Sequence, residues 1–138
     1  NKEKVNSLRK PERLNKKNII EKMFAGGSRS FSIFPLRVVW LPVEELDAPV
    51  SILVSVSKRR FKRAVKRNRV KRQIREAYRL NKPVLLAPLA EKGCRLAIAF
   101  IYLSDELMDS ALIEEKMKIA LVRIAEKALA EQSSQPTE

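Results

Sequence analysis

The alternation of hydrophobic and polar positions changes period along the chain, and these changes predict its secondary structure. At 50–57, Ile52, Val54 and Val56 alternate with polar serines, which is the period of a strand buried on one face. Near the C-terminal end, apolar residues recur every three or four positions, as in a helix that packs on a core. The full pattern predicts an α/β (α+β) two-layer sandwich of order αβββαβα, with one four-stranded sheet and helices packed on it.

The predicted elements form a single domain over residues 1–131. Helices are predicted at 14–25, 58–79 (with a loop entry at 58–62 as an alternative) and 109–131, and strands at 30–33, 36–43, 50–57 and 95–103. The strand at 95–103 is apolar throughout and is therefore predicted to be central. Pro83 and Pro88 indicate a linker before this strand. The polar segment 132–138 is predicted to be a disordered tail.

The charge balance narrows the class of partner. The 138 residues include 29 Lys and Arg against 16 Asp and Glu, a formal net charge of +13. A field of this sign attracts polyanions. No apolar run approaches the length of a membrane span, and no predicted helix has an apolar face to spare for a lipid surface. The N-terminal charges are not followed by the apolar segment of a signal peptide, so we expect a cytoplasmic protein.

Two residue types that dominate enzyme sites are nearly absent. The chain has no histidine, the commonest general base, and one cysteine, Cys94. Cys94 can form neither an internal disulfide nor a cysteine-based zinc site, and its position beside a predicted strand favours a buried structural thiol. We therefore expect no catalytic residue in the protein, and no metal or cofactor bound by the protein alone.

The segment 58–79 concentrates the positive charge. It contains twelve Lys and Arg residues, and no acid occurs from Ala48 to Arg75. Like charges three or four positions apart on a helix repel by roughly 0.2–0.5 kcal/mol per pair, so stability alone would favour interspersed Glu. At 100° per residue, Val70 and Ile74 lie on an arc that can pack on the sheet, with arginines on both sides of it. Because arginine presents a planar fork to phosphate oxygens, the segment is predicted to bind a polyanion.

Asn68 lies inside this arginine run although asparagine is a mediocre helix former. Its amide can both donate and accept, which suits a sugar hydroxyl, a base edge or an ordered water. It can equally hold neighbouring arginines in place through a local hydrogen bond. The residue type leaves both roles open.

The stretch from Lys66 to Glu76, Lys-Arg-Asn-Arg-Val-Lys-Arg-Gln-Ile-Arg-Glu, resembles the Arg-Asn-Arg signature of the bacterial ribonuclease P protein component. Three further stretches resemble the family: Arg13-Leu14 with a short helix ending in Phe24, Ser-Val-Ser-Lys-Arg at 55–59, and Arg-Ala-Val at 63–65. The likeness covers roughly residues 8–103, and the central motif is specific because about a dozen nearly consecutive positions match.

The resemblance implies a fold, an activity and two partners. The fold is the sandwich of order αβββαβα, and the activity is endonucleolytic removal of the 5′ leader from precursor tRNA. The partners are precursor tRNA and the catalytic RNA subunit of ribonuclease P, which holds the catalytic centre and requires Mg²⁺; neither DNA nor a membrane is expected. The helix residues implied to dock on the catalytic RNA are Arg67, Asn68, Arg69, Lys71, Arg72 and Arg75.

The resemblance also implies a cleft between the basic helix and the sheet that holds the single-stranded leader. The positions that match this cleft are Ile20, Phe24, Trp40, Ser55, Lys58 and Arg59. Stacking of bases on aromatic rings in a cationic groove is the expected chemistry for single-stranded RNA. Ile20 departs from the family pattern, in which many members have an aromatic residue. Phe24 and Trp40 are as consistent with core packing as with a stacking platform.

Three other functions fit parts of the pattern. A ribosomal or translation-associated RNA-binding protein would have the same size and charge, and only the Arg-Asn-Arg stretch and its upstream context distinguish it. A DNA-binding module would need side chains free to read base edges, whereas a stripe of arginines suits phosphates. A protein nuclease would need clustered carboxylates for metals, but the acids lie mainly at 44–47, 105–115 and 126–138.

The absence of histidine and of clustered carboxylates predicts that the protein alone does not cleave RNA. Incubation of the purified protein with precursor tRNA and Mg²⁺ should leave the substrate intact, and addition of the catalytic RNA should restore cleavage at modest salt. Site-specific 5′ cleavage by a preparation free of the catalytic RNA would contradict this prediction.

Overall fold

The computed structural model describes residues 17–26, 28–43, 46 and 48–134. The helices are α1 (Lys17–Met23), α2 (Ala64–Asn81), α3 (Pro83–Lys92) and α4 (Ser110–Ser134), and the strands are β1 (Arg29–Ile33), β2 (Leu36–Pro42), β3 (Val50–Ser55) and β4 (Leu96–Tyr102). The predicted α+β class with one four-stranded sheet is confirmed. Positions 14–16 of the first predicted helix and 135–138 of the predicted tail lie outside the described residues.

Strand β4 lies in the interior of the sheet. The strands are ordered β1-β2-β4-β3, and β4 pairs antiparallel with β2 and parallel with β3, while β1 pairs antiparallel with β2. Six of the seven residues of β4 are buried. Because both of its edges are paired and both of its faces are covered, its sequence is apolar throughout. The predicted central position of this strand is confirmed.

One face of the sheet is covered by α2, α3 and α4 and forms the larger hydrophobic core. The strands contribute alternate residues to it, among them Val38, Ile98 and Phe100. Ile74 of α2 and Met117 of α4 are fully buried against them. Burial of a side chain of this size contributes about 1.5–3 kcal/mol, so this core determines how α2 is rotated and which of its residues reach the solvent.

The opposite face of the sheet carries a thinner layer formed by α1. Ile19 and Met23 of this seven-residue helix belong to a second apolar cluster together with Val39 of β2 and Ala97 and Ala99 of β4. Alanine side chains are small, so α1 can lie close to the sheet. A helix of seven residues is only about 10 Å long, and part of this face therefore stays open.

The segment predicted as a linker on account of its two prolines is the helix α3. Pro83 is in the first turn, where the missing N–H has no helical acceptor in any case. Leu85 and Leu89 are fully buried in the larger core although Pro88 lies between them inside the helix. Packing of the two leucines therefore outweighs the helix-breaking effect of Pro88, and the prediction of a linker is wrong.

Two helix boundaries also differ from the prediction. Helix α2 begins at Ala64, because residues 57–61 form a turn, in agreement with the alternative loop entry at 58–62. Helix α4 continues to Ser134, so residues 132–134 are helical and not part of a disordered tail. Within the described part of the chain, no helix is long and apolar enough to cross a membrane.

Trp40 is a core residue, which corrects its assignment to the leader cleft. It is 1% exposed and packs under the helix layer. The physical reason is strand alternation: Trp40 shares a face of β2 with Leu36 and Val38, whereas Arg37 and Val39 lie on the opposite face. Of the two roles that the sequence left open for Trp40, the structure supports packing.

Trp40→Ala should therefore lower the free energy of unfolding by about 3–5 kcal/mol, since it leaves a large cavity in the core. Trp40→Phe, which retains an aromatic ring, should cost less and should not change the affinity for RNA. Urea unfolding monitored by circular dichroism measures both variants. A Trp40→Ala protein with the stability of the wild type and a selective loss of RNA binding would contradict the core assignment.

Candidate nucleic-acid interface

The rotation of α2 exposes part of the predicted docking set. Val70, Ile74, Ala77 and Tyr78 are buried against the core, which turns the remaining faces of the helix outward. Of the predicted docking residues, Asn68, Arg69 and Arg72 are exposed and Arg67, Lys71 and Arg75 are half-buried. The exposed members have the accessibility that a contact with RNA requires.

The N-terminal end of α2 is strongly electropositive. Arg63 occupies the N-cap position without a capping side-chain hydrogen bond, and the first turn contains no acid. The free N–H groups of this turn add the positive end of the helix dipole to the charges of Lys62, Arg63 and Lys66. These three side chains are exposed and, with Arg60, outnumber the two acids, Asp105 and Glu106, that border the same shallow depression. A phosphate placed there would meet both cationic side chains and backbone donors.

The positive charge weakens toward the C-terminal end of α2. Arg79 donates from Nε to Glu76 Oε1 at 3.1 Å, and a second bond joins Arg79 Nη2 to Glu76 Oε2. This hydrogen bonding lowers the pKa of the Glu76 carboxyl group below its ordinary value, so Glu76 stays ionised and offsets Arg79. The cationic surface of α2 is therefore concentrated in its first three turns.

Arg67 is bonded within the protein. Its Nη1 donates to the carbonyl oxygens of Phe61 and Lys62, each at 2.8 Å. Both carbonyls belong to the segment that leads into α2, so Arg67 holds that segment against the helix. The family resemblance implied RNA docking for Arg67, whereas the structure gives its guanidinium two backbone acceptors.

The turn before α2 is held from several directions. The Ser57 carbonyl accepts hydrogen bonds from two later N–H groups of the turn at 3.1 and 3.3 Å, and the Ser57 hydroxyl accepts one from the Arg59 N–H at 3.0 Å. Phe61 is buried, with its ring centroid 6.1 Å from that of Tyr102. The turn therefore presents Lys58 and Arg59 to solvent from a fixed backbone.

A groove crosses the part of the sheet that α1 leaves open. Its first section has a volume of about 400 Å³ and is lined by Met23, Phe24, Ser30, Arg37, Val39 and Ile101, among others. Ile101 also lines the second section, of about 500 Å³, together with Ser57, Arg59 and Arg60. Arg60 in turn borders the depression at the start of α2. Shared lining residues therefore connect the three depressions in order from α1 to α2.

An ion pair bridges the second section of the groove and the depression. Arg60 Nη1 lies 3.1 Å from Asp105 Oδ1. The segment with Asp105 is fixed by the Tyr102 hydroxyl, which donates to the Glu106 carbonyl at 2.7 Å. Burial raises the pKa of Tyr102, so this hydroxyl remains a protonated donor at neutral pH. An exposed ion pair contributes only about 0–1 kcal/mol, so a phosphate can replace Asp105 beside Arg60 at little cost.

The predicted cleft residues do not all lie in one place. Phe24 is 54% exposed and lines the first section of the groove, and Arg59 lines the second. Lys58 is exposed next to Arg59, and Ser55 is half-buried on β3 opposite Ile101 of β4. Ile20 is half-buried and packs beside the α1 cluster. Trp40, as described above, lies on the other side of the sheet.

The groove residues that sequence reasoning missed include Arg37, Val39 and Ile101. A signal for the first two exists in β2, where Arg37 is a single charge in an apolar strand. The period of two places Arg37 and Val39 on one face and Trp40 on the other. Ile101 has no such signal, because it reaches the groove through its pairing with Arg37 across the sheet.

The described residues do not provide a metal site. No three Asp, Glu or Cys side chains among them lie close enough together to hold an ion. Cys94 is half-buried and forms no disulfide in the described structure, and burial raises the pKa of its thiol, which disfavours the thiolate that would bind a metal or act as a nucleophile. The Mg²⁺ requirement expected of the RNA holoenzyme stays a prediction, and no step through a protein-bound metal follows from these residues.

Comparison with known proteins identifies the family of the chain. The family model described as Ribonuclease P matches residues 8–125. The chain belongs to the ribonuclease P protein family. Membership makes it the protein subunit of an endoribonuclease that processes tRNA, with the ribonuclease P RNA as its partner. Nothing in these matches supports the ribosomal alternative.

Relatives and solved structures agree with this family. The ribonuclease P protein component of Porphyromonas gingivalis is 50% identical over 119 residues, which are 86% of each chain. That of Chlorobaculum tepidum is 38% identical over 106 residues, which cover 72% of this chain and 69% of the relative. The RNase P protein from Thermotoga maritima superposes with a TM-score of 0.64 at 23% identity, over 81% of this chain and 96% of that one. Staphylococcus aureus RNase P protein superposes with a TM-score of 0.64 at 22% identity, over 83% of this chain and 94% of that one.

Substitution of Arg67 and of Arg72 should have different effects. Arg67→Ala leaves two backbone carbonyls without their charged donor and should lower the free energy of unfolding by about 1–3 kcal/mol. Arg72→Ala removes an exposed charge, so it should leave stability unchanged and reduce the slope of log affinity against log salt for the catalytic RNA by about 0.7–0.9. Thermal melts and filter binding across salt measure these quantities. A reduced salt slope without any loss of stability in Arg67→Ala would show that Arg67 contacts RNA directly.

Proposed function

We propose that the protein docks on the catalytic RNA of ribonuclease P through α2 and holds the single-stranded 5′ leader of precursor tRNA in the groove across the sheet. The observation that supports this most strongly is that the two surfaces share a lining residue. Arg60 borders both the second section of the groove and the depression at the start of α2. One fixed turn therefore positions the leader-binding region relative to the RNA-docking region.

The proposed docking surface begins at the N-terminal end of α2 and continues through its exposed residues. Arg69 and Arg72 offer planar forks to phosphate oxygens of a folded RNA. Asn68 is exposed, so its amide is available for a sugar hydroxyl or a base edge. Such contacts position the protein on the RNA through shape and charge more than through sequence.

The groove has the composition expected of a site that binds a single strand with little sequence preference. Phe24 supplies an exposed aromatic face on which any base can stack. Arg37 places a cation in the first section and Arg59 and Arg60 place two in the second, suited to successive phosphates. Val39 and Ile101 form an apolar floor between them. Since Ile20 offers no ring, stacking in the first section depends on Phe24.

In this proposal the hydrolytic step belongs to the RNA subunit and its Mg²⁺. The protein binds and orients the substrate: it neutralises phosphates of two RNA segments that would otherwise repel each other, and it adds affinity for the leader. These contributions strengthen binding of precursor tRNA relative to mature tRNA, which has no leader to fill the groove.

Phe24→Ala should lower the affinity of the holoenzyme for precursor tRNA about five- to 150-fold, since stacking of a base on an aromatic ring is worth roughly 1–3 kcal/mol. Affinity for mature tRNA should not change. Phe34→Ala is a matched control, because Phe34 is 57% exposed, close to the 54% of Phe24, but does not line the groove. Equal weakening for both tRNA forms, or an equal effect of the Phe34 variant, would contradict the leader assignment.

A further inference from the structure

Two cationic side chains of α4 lie over one aromatic ring of β1. The guanidinium carbon of Arg123 is 5.1 Å from the centroid of the Phe31 ring, and the ammonium nitrogen of Lys127 is 5.9 Å from it. Within the described residues, neither cation forms an ion pair with an acid. Among these residues, the ring therefore lies beside two positive charges that no acid neutralises.

This arrangement favours an anion as a ligand. Arg123 and Lys127 are one helical turn apart, where like charges repel. Attraction to the face of Phe31 offsets part of that repulsion and restricts the positions of both cations. A phosphate bound between Arg123 and Lys127 would attract both cations and offset their mutual repulsion, without a large reorganisation of either side chain. Because the cations occupy the ring face, the site suits a phosphate and not a stacked base.

Strand β1 connects this cation pair to the groove. Ser30 lines the first section of the groove, and the next residue, Phe31, points to the opposite face of the sheet, where it packs against the core under the helices. β1 is at the edge of the sheet, with β2 as its partner in the described structure. A chain that leaves the groove at Ser30 therefore has to pass around a single strand, whose outer edge presents backbone N–H donors.

We propose that Arg123, Lys127 and Phe31 form a second leader contact, which binds a backbone phosphate of the precursor-tRNA leader after the leader leaves the groove and passes around β1. This inference rests on the proposed function of the groove. The leader is the favoured occupant because the groove ends beside β1. The docking helix α2 packs on β3, at the other edge of the sheet, and on the first half of α4, where Gln73 bonds to Ser110 and Asn81 to Glu114. Arg123 and Lys127 are on the second half of α4, so RNA docked on α2 lies away from this contact.

The ligand is a phosphodiester of single-stranded RNA, so this contact should respond to leader length and not to leader sequence. The experiment uses holoenzyme reconstituted with the catalytic RNA and a series of precursor tRNAs whose leaders grow one nucleotide at a time. With wild-type protein, affinity should rise by a further step once the leader is long enough to pass β1. For longer leaders, the slope of log affinity against log salt should steepen by about 0.7, the value for one phosphate contact of a single strand.

The test variant is Arg123→Gln with Lys127→Gln, which removes both charges and keeps aliphatic stems over the Phe31 ring. It should lose the second step in affinity and the extra salt dependence, while short leaders bind as to the wild type. Arg123→Lys with Lys127→Arg, which keeps both charges, should retain the step. Lys92→Gln with Lys118→Gln removes the same charge from exposed positions on α3 and on another side of α4, and should also retain it.

Three results would overturn the inference: a second step that persists in the double Gln variant, an equal loss at all leader lengths, or a weaker affinity of the double Gln variant for the catalytic RNA itself. The last result would assign the pair to the RNA subunit. Thermal melts establish that the variants are folded. Phe24→Ala separates this contact from the groove, because it should weaken short and long leaders alike; if it weakens neither, the proposed function of the groove fails independently of the length-dependent step.

Discussion

The structure depends on the burial of β4 on both faces. Leu96, Ile98 and Phe100 point into the core under the helix layer, and the small side chains of Ala97 and Ala99 point toward α1. The large side chains fix α2 through the core that they share with it, and so determine which of its basic residues meet the solvent. The small ones allow α1 to approach the opposite face. One apolar strand therefore sets the positions of both proposed RNA-binding regions.

Periodicity predicts the elements that are governed by local pattern. The alternation around Ile52 and Val54, the apolar run of β4 and the buried arc of α2 each appear in the sequence before any contact is known. Helix α3 cannot be predicted from the local pattern, because its prolines are a local signal against a helix, whereas the burial of Leu85 and Leu89 depends on partners distant in the sequence. The sequence does not predict the last residues of α4, 132–134, for a related reason. Their polar composition indicates that they are exposed to solvent, but it does not show whether they continue a helix that is packed on the core.

The candidate site was predictable to the extent that it depends on charge. The density of Lys and Arg before and within α2 predicts where a polyanion would bind, but it does not predict that the Arg67 guanidinium donates to the carbonyls of Phe61 and Lys62. Predicting these hydrogen bonds of Arg67 requires the geometry of the turn, which depends on packing of Phe61 against Tyr102. The groove floor is less predictable still, since Arg37 and Ile101 meet only through strand register.

The two alanines of β4 have a consequence for how the groove can vary among relatives. Ala97 and Ala99 are fully buried and touch no solvent, yet they set the height at which α1, and with it Phe24, stands above the sheet. A bulkier residue at either position would move α1 away from the sheet and widen the groove, although none of the residues that line the groove would have changed. The width of the groove therefore depends on two alanine side chains that do not themselves line it.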